Sequence, residues 1–268
     1  MLVKRLLTAV ILIPLVVVIT LTLDSSEFAI AVLPVLFIGS WEYCELIKIK
    51  HWITKALYVS ALTAAAYFIN QMPSLLMPVL IVTLFWWLIG SFWIISYPKH
   101  TRYWHNFLAT RLINGFFFFI PLLVALSALH QINSTLVLLL LTLIWAADSG
   151  GYFVGRAVGK NKLLPNASPG KTVEGVVGGV LLSLGVMFVY VRFGLENAVF
   201  KQYFFYGILS LVVTLASILG DLFESLHKRV AGVKDSGVLL PGHGGFFDRI
   251  DSLTASAPIF FLVYSFLT

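Results

Sequence analysis

Long runs of apolar residues without a charged side chain are the feature that most constrains this sequence. Residues 6–23 and 75–95 contain no Asp, Glu, Lys or Arg. An α-helix needs about 20 consecutive apolar residues to cross the hydrocarbon core of a bilayer. The sequence therefore predicts an all-α integral membrane protein.

Nine membrane-spanning helices are predicted in all. They cover residues 6–23, 28–47, 56–69, 75–95, 113–129, 135–158, 172–191, 203–220 and 253–267. The third segment is short and alanine-rich, so a re-entrant or tilted piece is an alternative. The first follows Lys4 and Arg5, as a signal peptide would, but it lacks a small-x-small cleavage site and is interpreted as a retained anchor.

The composition excludes several other classes of protein. Only 11% of the residues are charged, against about 25% in soluble domains. That charge is too little to cover a water-exposed surface, so neither a soluble globule nor a disordered chain fits. The single cysteine, Cys44, excludes a disulfide framework and a multi-cysteine zinc site, and is interpreted as a packing residue.

The distribution of charge predicts the orientation. With the N-terminus in the cytoplasm, only Arg192 and Lys201 of the 18 Lys and Arg residues fall outside. This positive-inside bias favours an N-in, C-out topology. It also explains the net charge of +6 without nucleic acid, since no separate basic domain exists, and makes anionic membrane lipids expected partners.

One domain, 1–268, is expected, because no repeat or linker interrupts the chain. The long loops and the intramembrane polar residues are concentrated in residues 148–252. Glycines recur there at four-residue spacing, which predicts close packing of two helices. They are Gly151, Gly155, Gly159, Gly175 and Gly179.

Six carboxylates lie near the predicted cytoplasmic ends of these helices. They are Asp148, Glu174, Asp221, Glu224, Asp248 and Asp251. Acidic groups at membrane depth are costly and usually face a partner or a water-filled cavity. One shared polar cavity facing the cytoplasm is therefore favoured over six separately solvated groups. Carboxylate oxygens suit Mg²⁺, which takes its remaining ligands from water and substrate phosphates.

A basic, glycine-rich segment lies between the last two acidic pairs. Residues 228–237 read KRVAGVKDSG, and residues 241–245 read PGHGG. Glycines let backbone amides approach an anion, and the cations supply countercharge. The pattern predicts a nucleotide-phosphate site, the alternative being a flexible loop with ordinary topology charges.

The loop 159–175 contains a second cationic turn. Gly170-Lys171-Thr172 resembles the end of a P-loop, but Pro165 stands where that motif needs glycine, and a membrane helix replaces the preceding strand. The P-loop is therefore rejected. Lys171, expected at a helix start beside Glu174, would bind a phosphate together with the positive helix end.

The histidines do not predict a metal site. His51, His100, His105 and His130 are expected in separate interfacial loops, and His227 is expected to support the basic loop. His243, between two glycines, is equally compatible with a site and with a structural turn.

Three segments together resemble a known family signature. Residues 225–229 (SLHKR), 234–237 (KDSG) and 240–251 (LPGHGGFFDRID) resemble the signature of phosphatidate cytidylyltransferases, also called CDP-diacylglycerol synthases. Residues 148–152 and 168–175 resemble other cytoplasmic-side motifs of that family. The motif-bearing catalytic half is roughly 140–268.

The resemblance implies that CTP and phosphatidic acid react to give CDP-diacylglycerol and pyrophosphate, an early step of phospholipid biosynthesis. It implies a multi-pass protein of the bacterial inner membrane, a homodimer, and an active site facing the cytoplasm. Mg²⁺ is expected on Asp221 and Asp248, with a second cation left open. The expected catalytic residues are Asp148, Lys171, Glu174, Asp221, Lys228, Arg229, Asp248 and Arg249. The expected substrate-binding residues are Ser168, Lys171, Ser225, Lys228, Arg229, Lys234, Asp235, Gly242, His243, Gly244, Gly245 and Asp251.

Two alternative functions are open to a sequence of this kind. A CTP-dependent lipid kinase would transfer the γ-phosphoryl group, and the signature at 225–251 disfavours it. A transporter of anionic solutes would place its polar residues near the bilayer midplane, whereas these residues are predicted on one face.

Overall fold

The structure is a computed structural model that describes residues 2–195, 198–239 and 244–267. These residues form ten α-helices, one two-stranded sheet and a 3₁₀ turn. The elements are α1 (Leu2–Thr22), α2 (Ser25–Leu46), α3 (Trp52–Asn70), α4 (Pro73–Ser96), α5 (Thr101–His105), α6 (Leu108–Ile132), α7 (Ser134–Val158), β1 (Lys162–Leu164), β2 (Ser168–Thr172), α8 (Val173–Gly194), α9 (Phe200–Ala231), the 3₁₀ turn (Phe247–Arg249) and α10 (Asp251–Leu267).

The protein is an all-α membrane protein, as predicted. Seven helices within the described residues, α2 to α4 and α6 to α9, are long and apolar enough to cross a membrane. The third predicted segment is a helix of 19 residues and belongs to this set. The first and last predicted segments correspond to α1 and to α10, which has 17 residues.

Short polar connections link consecutive helices. Asp24 caps α2 by accepting the N–H groups of Ser26 and Glu27, while Glu27 accepts the N–H of Asp24 in return. Asn133 alone separates α6 from α7, and its side chain accepts the N–H of Thr135. Such short connections make consecutive helices antiparallel neighbours, so their ends alternate between two faces.

The glycine spacing in α7 and α8 serves close helix packing, as predicted. A Cβ added to Gly150 would collide with the backbone of Gly178, and one added to Gly175 would collide with the carbonyl oxygen of Gly151. The two backbones therefore approach each other at distances that only glycine allows. This contact fixes the position of α7 relative to the start of α8.

Two local predictions need correction. The eighth predicted span ends at residue 220, but α9 continues to Ala231 and ends where Gly232 adopts φ +80°. Asp221 and Glu224 therefore lie inside a helix. Its end was predicted too early because the polar last turns lack the apolar pattern of the preceding residues. The cationic turn at 159–175 contains an antiparallel hairpin in which Lys162 pairs with Thr172. Lys171 thus lies on β2, and Thr172 caps α8.

A cluster of buried rings fills the core between α2, α4, α6 and α9. It contains Tyr43, Trp86, Trp87, Trp104, Phe118, Phe119, Phe223, His227 and Phe247. His227 donates from Nδ1 to the carbonyl oxygen of Phe223 at 2.9 Å, and its support of the basic loop stays a prediction. His130 is likewise a buried residue of α6 rather than a loop residue, bonded to Ser25. Cys44 is buried, as a packing residue should be.

Candidate functional site

Two lysines pair with three of the predicted carboxylates. Lys171 Nζ on β2 lies 2.7 Å from Asp221 Oδ2 on α9. Lys228 Nζ lies 2.7 Å from Asp248 Oδ1 and also forms an ion pair with Glu224, one helical turn earlier on α9. These pairs bring the hairpin, α9 and the 3₁₀ turn together in space, although up to 77 residues separate them in sequence.

Asp148 and Asp251 belong to the same charged group. Asp148 on α7 interacts electrostatically with Lys171, Asp221 and Arg249. Asp251 interacts with Asp221, Asp148 and Lys228. The group therefore holds five acidic and three basic side chains, and its formal charge is negative by two. Five of the six predicted carboxylates are brought together.

Glu174 does not join this group. Its carboxylate accepts the backbone N–H groups of Lys160 and Asn161 at 3.1 and 3.2 Å, and the Asn161 side-chain amide at 2.8 Å. These bonds tie the start of α8 to the chain entering β1. Glu174 is therefore bonded to the start of the hairpin, and its place in a shared cavity stays a prediction.

Asp248 is held by donors from three segments. Besides Lys228, it accepts the backbone N–H of Ser236 at 3.1 Å and that of Gly245 at 2.8 Å. Burial works to raise the pKa of Asp248, but the bonds from its partners outweigh it and hold the pKa below its ordinary value. The carboxylate is therefore ionised at neutral pH.

Lys171 stays protonated for a related reason. Burial works to lower the pKa of the Lys171 ammonium group, but the carboxylates of Asp221, Asp148 and Asp251 raise it above its ordinary value. Its side chain keeps a quarter of its surface exposed, and that of Asp221 keeps 29%. A fixed positive charge is thus accessible beside the acidic group.

Several other predicted residues have contacts of their own. Arg229 donates from Nε to the carbonyl oxygen of Ala167 at 3.0 Å, which ties the hairpin turn to α9. Ser225 donates to Asp221 at 3.3 Å. Gly244 has φ +84° and lies beside the carboxylates of Asp235 and Asp248.

The remaining predicted residues differ in how far they are exposed. Lys234 is exposed, Ser168 is half-buried at the start of β2, and Arg249 is exposed next to Asp148. Gly242 and His243 lie outside the described residues.

A further buried carboxylate, which no sequence motif predicted, lies next to the site. Glu42 on α2 is buried, and its Oε2 accepts the backbone N–H of Phe247 at 2.8 Å and the hydroxyl of Ser236 at 3.0 Å. A glutamate inside a predicted apolar span, 28–47, was the signal that could have found it, since such groups need a partner.

Two cavities lie away from the charged group. One of about 370 Å³ lies between α9 and α10 at the end opposite the charged group, with Lys201 and Tyr264 in its wall. Another of about 290 Å³ is an apolar groove beside Pro78 and Pro121. The predicted polar cavity therefore stays a prediction. In its favour, the side chain of Asp148 is exposed although charged groups from other elements face it.

Comparison with known proteins gives a consistent result along the whole chain. A model of the cytidylyltransferase family matches residues 3–267. The phosphatidate cytidylyltransferase of Haemophilus influenzae is 37% identical over 291 residues, covering 100% of both chains. That of Pseudomonas aeruginosa is 36% identical over 262 residues, covering 97% of this chain and 96% of its own. That of Bacillus subtilis is 42% identical over 139 residues, about half of each chain.

Proposed function

This chain belongs to the cytidylyltransferase family, and we propose that it transfers the cytidylyl group of CTP to phosphatidic acid, giving CDP-diacylglycerol and pyrophosphate. The two relatives that match almost its full length carry the name of this activity. The observation that carries the proposal is the group of five carboxylates and three cations on one side of the helices, with Lys171 at its exposed edge.

The chemistry asks for positioning and charge neutralisation. An oxygen of the phosphatidate phosphate attacks the α-phosphorus of CTP, a new P–O bond forms, and the bond to the β-phosphate breaks to release pyrophosphate. The nucleophile belongs to the lipid, so the protein needs to align the two phosphates and balance their charge. Lys171, Lys228, Arg229, Lys234 and Arg249 are the proposed phosphate partners.

Mg²⁺ fits the residues that are present. The group has a formal excess of two negative charges, and its donors are carboxylate oxygens, which Mg²⁺ prefers. Within the described ranges no three acidic, histidine or cysteine side chains form a complete metal site. Mg²⁺ usually takes only one or two carboxylates from a protein and the rest of its ligands from water and substrate phosphates. Asp221 and Asp248 would hold it, and it would neutralise the charge of the triphosphate.

The lysines on these carboxylates have a second use in this proposal. Lys171 and Lys228 now neutralise Asp221 and Asp248. When CTP brings a divalent cation, the carboxylates would bind the metal and the ammonium groups would bind the phosphates. The protein residues thus keep their charges balanced both with and without substrate.

The lipid substrate would enter from the membrane side. Each CH₂ group exposed to water costs about 0.8 kcal/mol, so a diacyl lipid has to keep its chains in the bilayer. We expect its phosphate to reach the group between α7, α9 and α10, which carry Asp148, Asp221 and Asp251. The site would face the cytoplasm, where CTP is found, in an N-in protein of the bacterial inner membrane. The homodimer and a second cation remain predictions from the family resemblance.

Product analysis with two labelled substrates tests the proposal. Purified protein in detergent receives phosphatidic acid, Mg²⁺ and CTP labelled at either the α- or the γ-phosphate. We expect α-label in the lipid fraction and γ-label in pyrophosphate. Label from the γ-position in the lipid, with release of CDP, would instead show a lipid kinase and overturn the proposal. Diacylglycerol in place of phosphatidic acid should give no labelled lipid.

A further inference from the structure

Glu42 connects the N-terminal half of the chain to the segments next to Asp248, a member of the charged group. It lies in the last turns of α2, with only 7% of its surface exposed. Its two hydrogen-bond donors, Ser236 and Phe247, follow it by 194 and 205 residues. Both bonds are accepted by Oε2 of the buried carboxylate, so this one oxygen ties α2 to the segments that carry Ser236 and Phe247.

Both donors are directly connected to Asp248, one through the chain and one through hydrogen bonds. Phe247 precedes Asp248 directly, and its ring is fully buried against Tyr43 and Phe118. Ser236 donates its backbone N–H to the Asp248 carboxylate, and its hydroxyl accepts the backbone N–H of Asp248 at 3.3 Å. A displacement of the Glu42 carboxylate would therefore move two of the groups that hold Asp248.

Two glycines in the segments next to Asp248 lie close to the Glu42 carboxylate. A Cβ added to Gly237 or to Gly245 would collide with the side chain of Glu42. Gly245 is also the residue whose N–H binds Asp248 at 2.8 Å. The backbone on both sides of residues 240–243 thus approaches Glu42 at distances that only glycine allows.

We propose that Glu42 is a positioning residue that orders the segments 236–237 and 244–247 and thereby sets the geometry of Asp248. It acts through hydrogen bonds to Ser236 and Phe247 and does not touch substrate. The inference rests on the proposed function only in its kinetic readout, because the order of the two segments can be measured without any reaction.

Replacement of Glu42 separates positioning from general stability. Supporting groups around a site typically contribute roughly 10- to 100-fold in activity. We expect Glu42→Ala to lower kcat by that factor, with little change in the KM for phosphatidic acid. Glu42→Gln keeps an oxygen that can accept both hydrogen bonds, so it should recover much of the loss. Glu45 lies on the same helix, is exposed and pairs with Lys55, so Glu45→Gln is the matched control and should keep wild-type kcat.

A double replacement tests whether Glu42 acts through Ser236. If Glu42 acts through Ser236, the losses from Glu42→Ala and Ser236→Ala should be strongly non-additive. Additive losses, or a wild-type kcat for Glu42→Ala, would overturn the proposal. If Glu42→Ala does not fold, Glu42→Gln, Gly237→Ala and Glu45→Gln are compared instead. The methyl group of Gly237→Ala would press against the Glu42 carboxylate.

Amide hydrogen exchange decides the question independently of activity. In detergent-solubilised full-length protein, Glu42→Ala should speed exchange in residues 236–237 and 244–250 and leave the α7–α8 contact unchanged. Uniformly faster exchange would mean a purely structural role and contradict the proposal. If the wild type makes no CDP-lipid, the proposed function fails, while the exchange result still decides the role of Glu42.

Discussion

Lys171 Nζ lies 2.7 Å from Asp221 Oδ2, which joins the β-hairpin to α9. Both side chains remain about one-quarter exposed, so the pair lies at the edge of the charged group. An ion pair at such an edge contributes only about 1 kcal/mol or less to stability. Its position beside Asp148 and Asp251 suits the binding of phosphate and metal better than a role in holding the fold.

The first prediction concerns the cation of this pair. Lys171→Met should lower kcat/KM roughly 100-fold, because a phosphate partner in a site is worth far more than an exposed charge. Lys162 is an exposed lysine on the neighbouring strand of the same hairpin. Lys162→Met is therefore the matched control and should stay near the wild-type value.

Arg249 gives the same comparison on another element. We expect Arg249→Met to impair CDP-lipid formation far more than Lys50→Met or Lys99→Met, which remove exposed charges that are not members of the group. Rates are measured at constant ionic strength. Equal losses in all three variants would mean that the basic residues act only through a general surface potential.

The second prediction concerns the metal. Asp221→Asn and Asp248→Asn should each reduce turnover by at least 100-fold while the thermal midpoint in detergent shows a folded protein, because the amide cannot replace the anionic ligand. Mg²⁺ titrations of both variants and the wild type provide the measurement. Near-normal rates in both variants at every Mg²⁺ concentration would contradict the assignment.

Asp24→Asn is a matched control for these two replacements. Asp24 caps α2 at the end of the helix opposite Glu42, and asparagine caps helices about equally well. This variant should keep both its rate and its Mg²⁺ dependence.

The third prediction concerns pH. The pKa of Lys171 is raised above its ordinary 10.5, so the stability gained from its pair is fully present below pH 10.5 and is lost only as the pH rises through the folded-state pKa. The difference in thermal midpoint between the wild type and Lys171→Met should therefore be constant from pH 6 to pH 9. A difference that shrinks between these values would show that Lys171 loses its proton near neutral pH.

The fourth prediction concerns orientation. Lys50 and Lys201 lie in exposed positions between predicted spans, on opposite predicted sides of the membrane. The only cysteine, Cys44, is buried, so a Cys44→Ser background gives little unwanted labelling. In intact cells a membrane-impermeant maleimide should label Lys201→Cys and spare Lys50→Cys. The reverse pattern would mean that the charged group faces the outside.

The apolar spans were predictable from sequence because each is a continuous local pattern. The predicted segment 135–158 differs by one residue from α7. The last turns of α9 were missed because Asp221, Glu224 and Lys228 interrupt the apolar pattern while the helix continues. Their charges are stabilised by partners on other elements, which a local pattern cannot reveal.

The members of the charged group were predictable by residue type, but their contacts were not. Asp221 and Asp248 were identified as acidic residues near helix ends, whereas their pairing with Lys171 and Lys228 depends on how the hairpin folds back. Glu42 was missed for the same reason, because its donors are about 200 residues away in sequence. Glu174 shows the opposite case, because its carboxylate accepts a backbone N–H only 14 residues away in sequence.

The last prediction concerns the contact between α7 and α8, which sets the position of Asp148 relative to Lys171. Gly150 lies two residues after Asp148, and a methyl group there would collide with the backbone of Gly178. Gly150→Ala should force the helices apart, lower the thermal midpoint and also lower kcat, because the two charged residues lie on the elements that move. Gly185 on α8 has open space around its Cβ position, so Gly185→Ala should raise helix stability by up to about 1 kcal/mol and leave kcat unchanged. Thermal unfolding in detergent and initial rates of CDP-lipid formation measure both effects. If Gly150→Ala behaved like Gly185→Ala, the close approach of α7 and α8 would not be what positions Asp148.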